Sequence, residues 1–233
     1  MIQAVSETGS TNADLAVRLR EGEGLSEGFW LLADRQVAGR GRQGRTWFDG
    51  AGNFMGSTVV HPLPGNPPPA SLALLAGLAV HEAVQPCLPP PVRAVLKWPN
   101  DLMIGTAKLA GILLETEGGA VIVGIGVNLA RAPQVEGRET IALAAFGPAP
   151  DRDSFAAELA RTFAQELDRW RTFGIEALIR RWIAAAHPIG TPLATGDTSG
   201  SFAGLAADGA LQLRLPDGTT RTIHAGEVNF AAS

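Results

Sequence analysis

Nine residues near the middle of the chain, 120–128, read Ala-Val-Ile-Val-Gly-Ile-Gly-Val-Asn. They hold no charge and, before the last position, no polar side chain. A run this short and this apolar suits a strand covered on both faces rather than an amphipathic helix. A sheet built around such a strand needs a layer on each side. With the segments described next, the chain is expected to be α+β. The two glycines inside the run leave room for a ligand or a neighbouring backbone.

The flanking segments supply those layers. A helix is predicted over 10–20, capped by Ser10 or Thr11, with Asp14 in its first turn and Leu15 and Leu19 on one face. Strands are predicted at 29–33, 53–60 and 92–96. Segments 102–104 and 108–115 form a hairpin pair about Gly105-Thr106. The stretch 61–69 carries five prolines and reads as a loop. Residues 71–84 form an apolar helix, and 151–173 and 174–186 two more. After His187-Pro188 the pattern changes to short β segments with Asp208-Gly209 and Asp217-Gly218 as turn signals. The predicted division is a larger unit at 1–186 and a small SH3-like β-barrel at 187–233.

Charge and cysteine content exclude some function classes. The net charge is −4 and the pI about 5.6. A general binder of nucleic acid or acidic membranes needs a surplus of cations, which this chain lacks. Cys87 is the single cysteine, so no internal disulfide forms. No basic-then-apolar leader is seen, and no stretch is expected to span a membrane. A soluble cytoplasmic protein is expected.

Only two of the 19 basic residues are lysines, Lys97 and Lys108. They lie close together, around Trp98-Pro99-Asn100-Asp101. An ammonium is a compact point charge, whereas a guanidinium is a wide planar fork. A lysine kept only here suggests a tight anion site. Asn100 and Asp101 can accept hydrogen bonds or hold Mg²⁺ through oxygen; an Asx-type turn is the plainer alternative.

The segment Gly39-Arg40-Gly41-Arg42-Gln43-Gly44 matches the dinucleotide pattern G-x-G-x-x-G, but Arg45-Thr46-Trp47-Phe48 is no helix start. The nucleotide-binding turn is therefore rejected. What remains is a mobile loop that can bring Arg40, Arg42 and Arg45 to an anion; a solvated basic turn is the alternative. The strand starting at Lys108 includes Gly111, which permits close approach of a ligand. Asn128 ends the buried strand, where it could read a base edge. The histidines have no metal-ligand spacing.

Taken in order, Ser10-Thr11-Asn12, the Gly39-Arg40-Gly41-Arg42 loop, Lys97-Trp98-Pro99-Asn100-Asp101, Lys108-Leu109-Ala110-Gly111-Ile112-Leu113 and Gly124-Ile125-Gly126-Val127-Asn128 resemble the biotin–protein ligases, also called biotin–[acetyl-CoA-carboxylase] ligases. The resemblance implies a class II synthetase-like biotinyl/lipoyl ligase fold, a mixed β-sheet flanked by helices. It implies formation of biotinyl-5′-AMP from biotin and ATP, with Mg²⁺, and transfer to a lysine of the biotin carboxyl carrier protein of acetyl-CoA carboxylase. Lys108 and Arg42 resemble the catalytic positions. Ser10, Thr11, Asn12, Gln36, Gly39, Arg40, Gly41, Arg42, Lys108 and Gly111 resemble the biotin-facing ones. Arg40, Arg42, Arg45, Trp47, Asn100, Lys108 and Asn128 resemble the ATP-facing ones, and Asp101 an indirect metal position.

The chain departs from many relatives at Gly9, where they carry Asp, and from some at Gln43, where they carry Arg. It leaves no room for the DNA-binding domain of bifunctional members, so no DNA partner is expected. No membrane partner is expected, and a homodimer through sheet edges is possible. The rival readings are a lipoate–protein ligase or octanoyl transferase, and a non-catalytic biotin or nucleotide sensor. Lipoate has no ureido group for Ser10, Thr11 and Asn12 to read, and a sensor would not need Lys108.

Overall fold

The computed structural model describes residues 1–48 and 50–231. In chain order it lays down β1 (Ile2–Thr8), α1 (Thr11–Arg20), β2 (Trp30–Gln36), β3 (Phe54–Val60), α2 (Leu72–Val84), β4 (Ala94–Lys97), β5 (Asp101–Ile104), β6 (Ala107–Glu117), β7 (Ala120–Val127) and α3 (Arg152–Ala185). Five short strands follow: β8 (Pro192–Thr195), β9 (Thr198–Leu205), β10 (Leu211–Arg214), β11 (Thr220–Ile223) and β12 (Asn229–Phe230).

The apolar run becomes β7, near the middle of a seven-stranded sheet ordered β1-β2-β3-β7-β6-β5-β4. Only β1 and β2 pair in parallel, so the sheet is mixed. Side chains alternate between faces along a strand. Val121, Val123, Ile125 and Val127 point into the large core shared with α2 and α3. Ala120 and Ile122 point the other way, into a smaller core with Leu15 of α1. Gly124 and Gly126 share the α1 face by the same period. Beyond the end of α1 that face therefore carries almost no side-chain bulk, and a trough opens over it.

Register sets the composition of the trough. Met55 pairs with Gly126, Gly126 with Gly111, Gly111 with Asp101, and Asp101 with Lys97. These five residues form one row across five strands, on the face that α2 and α3 leave uncovered. One row over, Ser57 pairs with Gly124.

α3 breaks at Gly174, whose φ of 72° is the left-handed region that glycine enters without strain. The two predicted helices thus meet at the predicted residue. Arg181, past the break, pairs with Glu166, before it, and with Glu82 of α2 at 2.5 Å. In an unbroken helix, residues 15 apart would stand about 22 Å from each other. The break therefore lets one arginine clamp both halves of α3 to α2.

Trp170 is 1% exposed in the seam between α2 and α3 and donates its indole N–H to Ser71 Oγ at 2.8 Å. Trp170→Ala is expected to lower stability by about 3–5 kcal/mol. Denaturant unfolding measures this, and a loss under about 1 kcal/mol would mean the seam is not a main source of stability.

Two segments fold in ways that their composition alone does not show. The stretch Pro69–Cys87 has a mean hydropathy of 1.2 over its most apolar window, enough by length and composition for a membrane span. Its apolar side chains are instead used in the core, where α2 packs on the sheet and on α3. β1 is a strand in a segment for which the sequence predicts no element. It lies at the sheet edge and is mostly exposed, so it has no apolar face to show in the sequence.

The expected all-β segment is present as a five-stranded antiparallel sheet, ordered β11-β10-β9-β8-β12. Phe202, Leu211, Leu213 and Val228 fill its core, which runs on into that of the larger unit. Trp98 Nε1 donates to the Gly209 carbonyl at 3.0 Å, and the rings of Trp182 and Phe202 lie 6.4 Å apart.

Candidate active site

The trough is a cavity of about 490 Å³ on the α1 face of the sheet. Every residue singled out in the sequence for a site role lines it, with one exception. Gly39 does not. Its carbonyl accepts from Trp47 N at 2.9 Å and closes the base of the Arg-Gly loop. Arg40 and Thr46 bridge next, and Gly41 N donates to Arg45 O, so the loop is a hairpin folded over the cavity. Its tip, Arg42–Gly44, is a single 3-10 turn in which Gln43 has φ 57°, and no helix begins there. The rejection of the dinucleotide motif stands.

One end of the cavity is a polar network. Ser10 occupies the N-cap of α1 but its side chain does not cap, which leaves a buried hydroxyl against the cavity. The helix start is capped instead by Gln36 of β2, whose Oε1 accepts from Thr11 N at 2.8 Å. Thr8 Oγ1 donates to Asp14 at 2.5 Å and braces the turn that Gly9 begins. The hydroxyls of Thr11 and Ser57 lie 2.6 Å apart, and Ser57 donates to Asn12 Oδ1 at 2.6 Å. Asn12 Nδ2 donates to Glu115 Oε2 at 2.7 Å, and Arg40 also pairs with Glu115 at 3.2 Å. Donors and acceptors are thus fixed on a buried face before any ligand arrives.

The middle is cationic. Lys108 Nζ donates to Asp101 Oδ1 at 2.5 Å, and Lys97 Nζ stands 3.7 Å from Asp101 Oδ2. Burial pushes the Lys97 ammonium below the usual lysine range, against the pull of Asp101. Arg42 reaches in from the loop. It donates to Asn100 Oδ1 at 3.1 Å and to the Gly226 carbonyl at 3.2 Å, and burial lowers its pKa too. Removing cations from water is costly unless anions come to them, so this cluster is suited to gain from a bound phosphate or carboxylate.

The far end is aromatic. The Trp47 indole lies against the glycine floor: a Cβ built on Gly126 would stand 2.2 Å from the indole and one on Gly111 3.0 Å from it. Asn128 is 2% exposed, with Nδ2 donating to the Ile141 carbonyl at 3.1 Å. Among the described residues, Asn128 Oδ1 and Trp47 Nε1 are buried without a partner. Buried polar atoms are rarely left so, and both border the cavity.

Four contributors went unread in the sequence. Ser57 and Glu115 follow from strand register: Ser57 pairs with Gly124, and Glu115 lies on the same face as Gly111 two pleats away. Arg138 and Glu227 stand on irregular segments and carry no such signal. A divalent cation held by protein alone does not fit the cavity. Both Asp101 oxygens face ammoniums, Asn100 Oδ1 is taken by Arg42, and no cluster of three His, Cys, Asp or Glu able to hold a metal occurs among the described residues.

The chain belongs to the biotin/lipoate A/B protein ligase family, whose pattern matches residues 7–130, and the pattern of the biotin protein ligase C terminal domain matches residues 192–230. It is 39% identical to the biotin–[acetyl-CoA-carboxylase] ligase of Paracoccus denitrificans, over 97% of this chain and 99% of that one. The biotin protein ligase from Aquifex aeolicus in complex with biotin and ATP aligns at a TM-score of 0.85 and 25% identity, covering 100% of this chain and 99% of that one. The biotin protein ligase from Leishmania major in complex with biotinyl-5-AMP aligns at 0.63 and 26% identity, covering 96% and 98%.

Proposed function

We infer that this chain is an ATP-dependent ligase that activates biotin as biotinyl-5′-AMP and transfers the biotinyl group to a lysine of the biotin carboxyl carrier protein of acetyl-CoA carboxylase. One observation carries the reading: Lys108 stands in a single cavity between a pre-formed polar network and an aromatic floor.

The polar network around Ser10, Thr11, Asn12 and Gln36 suits the ureido ring, which carries both donors and an acceptor. A site built on such bonds strongly rejects analogues that lack them, lipoate included. The carboxylate then points toward Lys108. In the first step a carboxylate oxygen attacks the α-phosphorus, and the bond to pyrophosphate breaks. Two anions must meet, so fixed cations lower the barrier where charge concentrates. Lys108 keeps its bond to Asp101, which aims the ammonium, and turns its other N–H donors to the substrate oxygens. Arg40, Arg42 and Arg45 face the phosphates from the loop, with Asn100 holding Arg42. Trp47 lies against adenine, and Asn128 Oδ1 accepts from its amino group. Magnesium enters as the nucleotide's counter-ion, part of the substrate. In the second step the carrier amine attacks the acyl carbon, and AMP leaves with the bonding electron pair. Residues 1–186 carry this chemistry, and the cytoplasm, where such a carrier is made, is the expected setting.

The reading requires that purified carrier gain the mass of one biotinyl group only when chain, biotin and ATP are all present. An unmodified carrier under those conditions would refute it. Arg42 ties the loop both to Asn100 and to the C-terminal module. Arg42→Gly is therefore expected to release the adenylate and to label lysines on bystander proteins. Mass spectrometry of a mixture of carrier and an unrelated protein reads this out. Labelling confined to the carrier would contradict a retaining role for the loop.

A further inference from the structure

The segment between β11 and β12 reaches across to the loops that roof the cavity. Glu227 meets two guanidiniums there. Arg45 of the Arg-Gly loop donates to it through both terminal nitrogens, one at 2.9 Å, and Arg138 of the segment after β7 pairs with the same carboxylate. Next to it, the Gly226 carbonyl accepts from Arg42. Three cationic side chains from two separate loops thus converge on two consecutive residues of the C-terminal module. All of them except Gly226 line the cavity.

The anchor itself is fixed. Val228 is 1% exposed in the core of the module. A Cβ on Gly226 would approach Thr195 Oγ1 of β8 to 3.0 Å, so the backbone here lies close against its neighbour. The carboxylate is thus presented, from beside a buried core residue, to the two loops that roof the cavity. The fork that binds a carboxylate also binds a phosphate. A polyphosphate entering beside Lys108 therefore competes with Glu227 for Arg45 and Arg138.

We propose that Glu227 is a positioning residue that acts as the keeper of the Arg-Gly loop. It yields Arg45 and Arg138 to the nucleotide's polyphosphate and takes them back once pyrophosphate has left, so that the loop stays down over the acyl adenylate. The proposal rests on the ligase reading above. It gives the β module a role in retaining the intermediate.

The test compares wild type, Glu227→Gln, Arg45→Ala and the double variant, all as full-length chains. Two quantities are read: the half-life of enzyme-bound biotinyl-adenylate after rapid removal of free ligand, and the KM for ATP in pyrophosphate release. Glu227→Gln removes the charge and keeps the shape. It should shorten the half-life about tenfold, the scale of one charge-assisted hydrogen bond. It should leave the KM for ATP unraised, because a competing anion is gone. In the Arg45→Ala background the same substitution should have a smaller further effect, the share that Arg138 carries. A fivefold or greater shortening with no rise in KM and with non-additivity supports the keeper. An unshortened half-life, a parallel rise in KM or additive effects overturns it. Wild type that forms no adenylate from biotin would instead overturn the ligase reading.

Discussion

Lys108→Ala is expected to slow pyrophosphate release about 10²- to 10³-fold, the usual effect of removing one donor aimed at developing charge, while biotin affinity falls less than tenfold. The difference follows from placement. In the proposed reading the ureido ring meets the network around Thr11, Asn12 and Ser57, whose hydrogen bonds do not involve Lys108. In the same reading Lys108 faces the point where carboxylate and α-phosphate would meet; its partner in the structure, Asp101, is an anion standing in the same row as the glycine floor. Lys108→Arg should not rescue, because a planar fork does not fit where a point charge is aimed. Single-turnover pyrophosphate release and calorimetric biotin binding separate the two quantities. Equal losses in both would remove the catalytic assignment and make Lys108 a binding residue.

Two glycines on one face of β7 should separate the substrates. A Cβ on Gly124 would stand 2.3 Å from Asn12 Oδ1, whereas one on Gly126 would stand 2.2 Å from the Trp47 indole. Gly124→Ala therefore disturbs the polar end and Gly126→Ala the aromatic end. Overpacking of this kind corresponds to about a ten- to hundredfold rise in KM. Gly124→Ala should raise the KM for biotin and largely spare ATP. Gly126→Ala should do the reverse. Steady-state kinetics with each substrate varied in turn decides this. Equal effects of both variants on both substrates would mean that the ends of the cavity are not assigned as described.

Much of this arrangement is legible in the sequence where chemistry and periodicity coincide. The β7 run is apolar because both faces are covered, and its glycines mark the one stretch where a side chain would fill the trough. Gly174 marks the break in α3, since few other residues adopt its φ. The lysine pair is conspicuous against a background of arginine, and both of its members border the cavity. Other features stay hidden for physical reasons. β1 is an exposed edge strand, and backbone pairing to β2 requires no alternation. The contact of Arg45 with Glu227 joins residues 182 apart through irregular backbone, where no period or register links one to the other. Gly39 is conspicuous in the motif, yet its carbonyl closes the loop and leaves the cavity to its neighbours. α2 has the composition of a membrane span because a helix buried between a sheet and another helix needs the same side chains.

Pyrophosphate release from ATP, with biotin and lipoate supplied separately, tests the central claim most directly. Release that requires biotin and ignores lipoate is the predicted result. Release with lipoate alone, or tight biotin binding with no release, would contradict it.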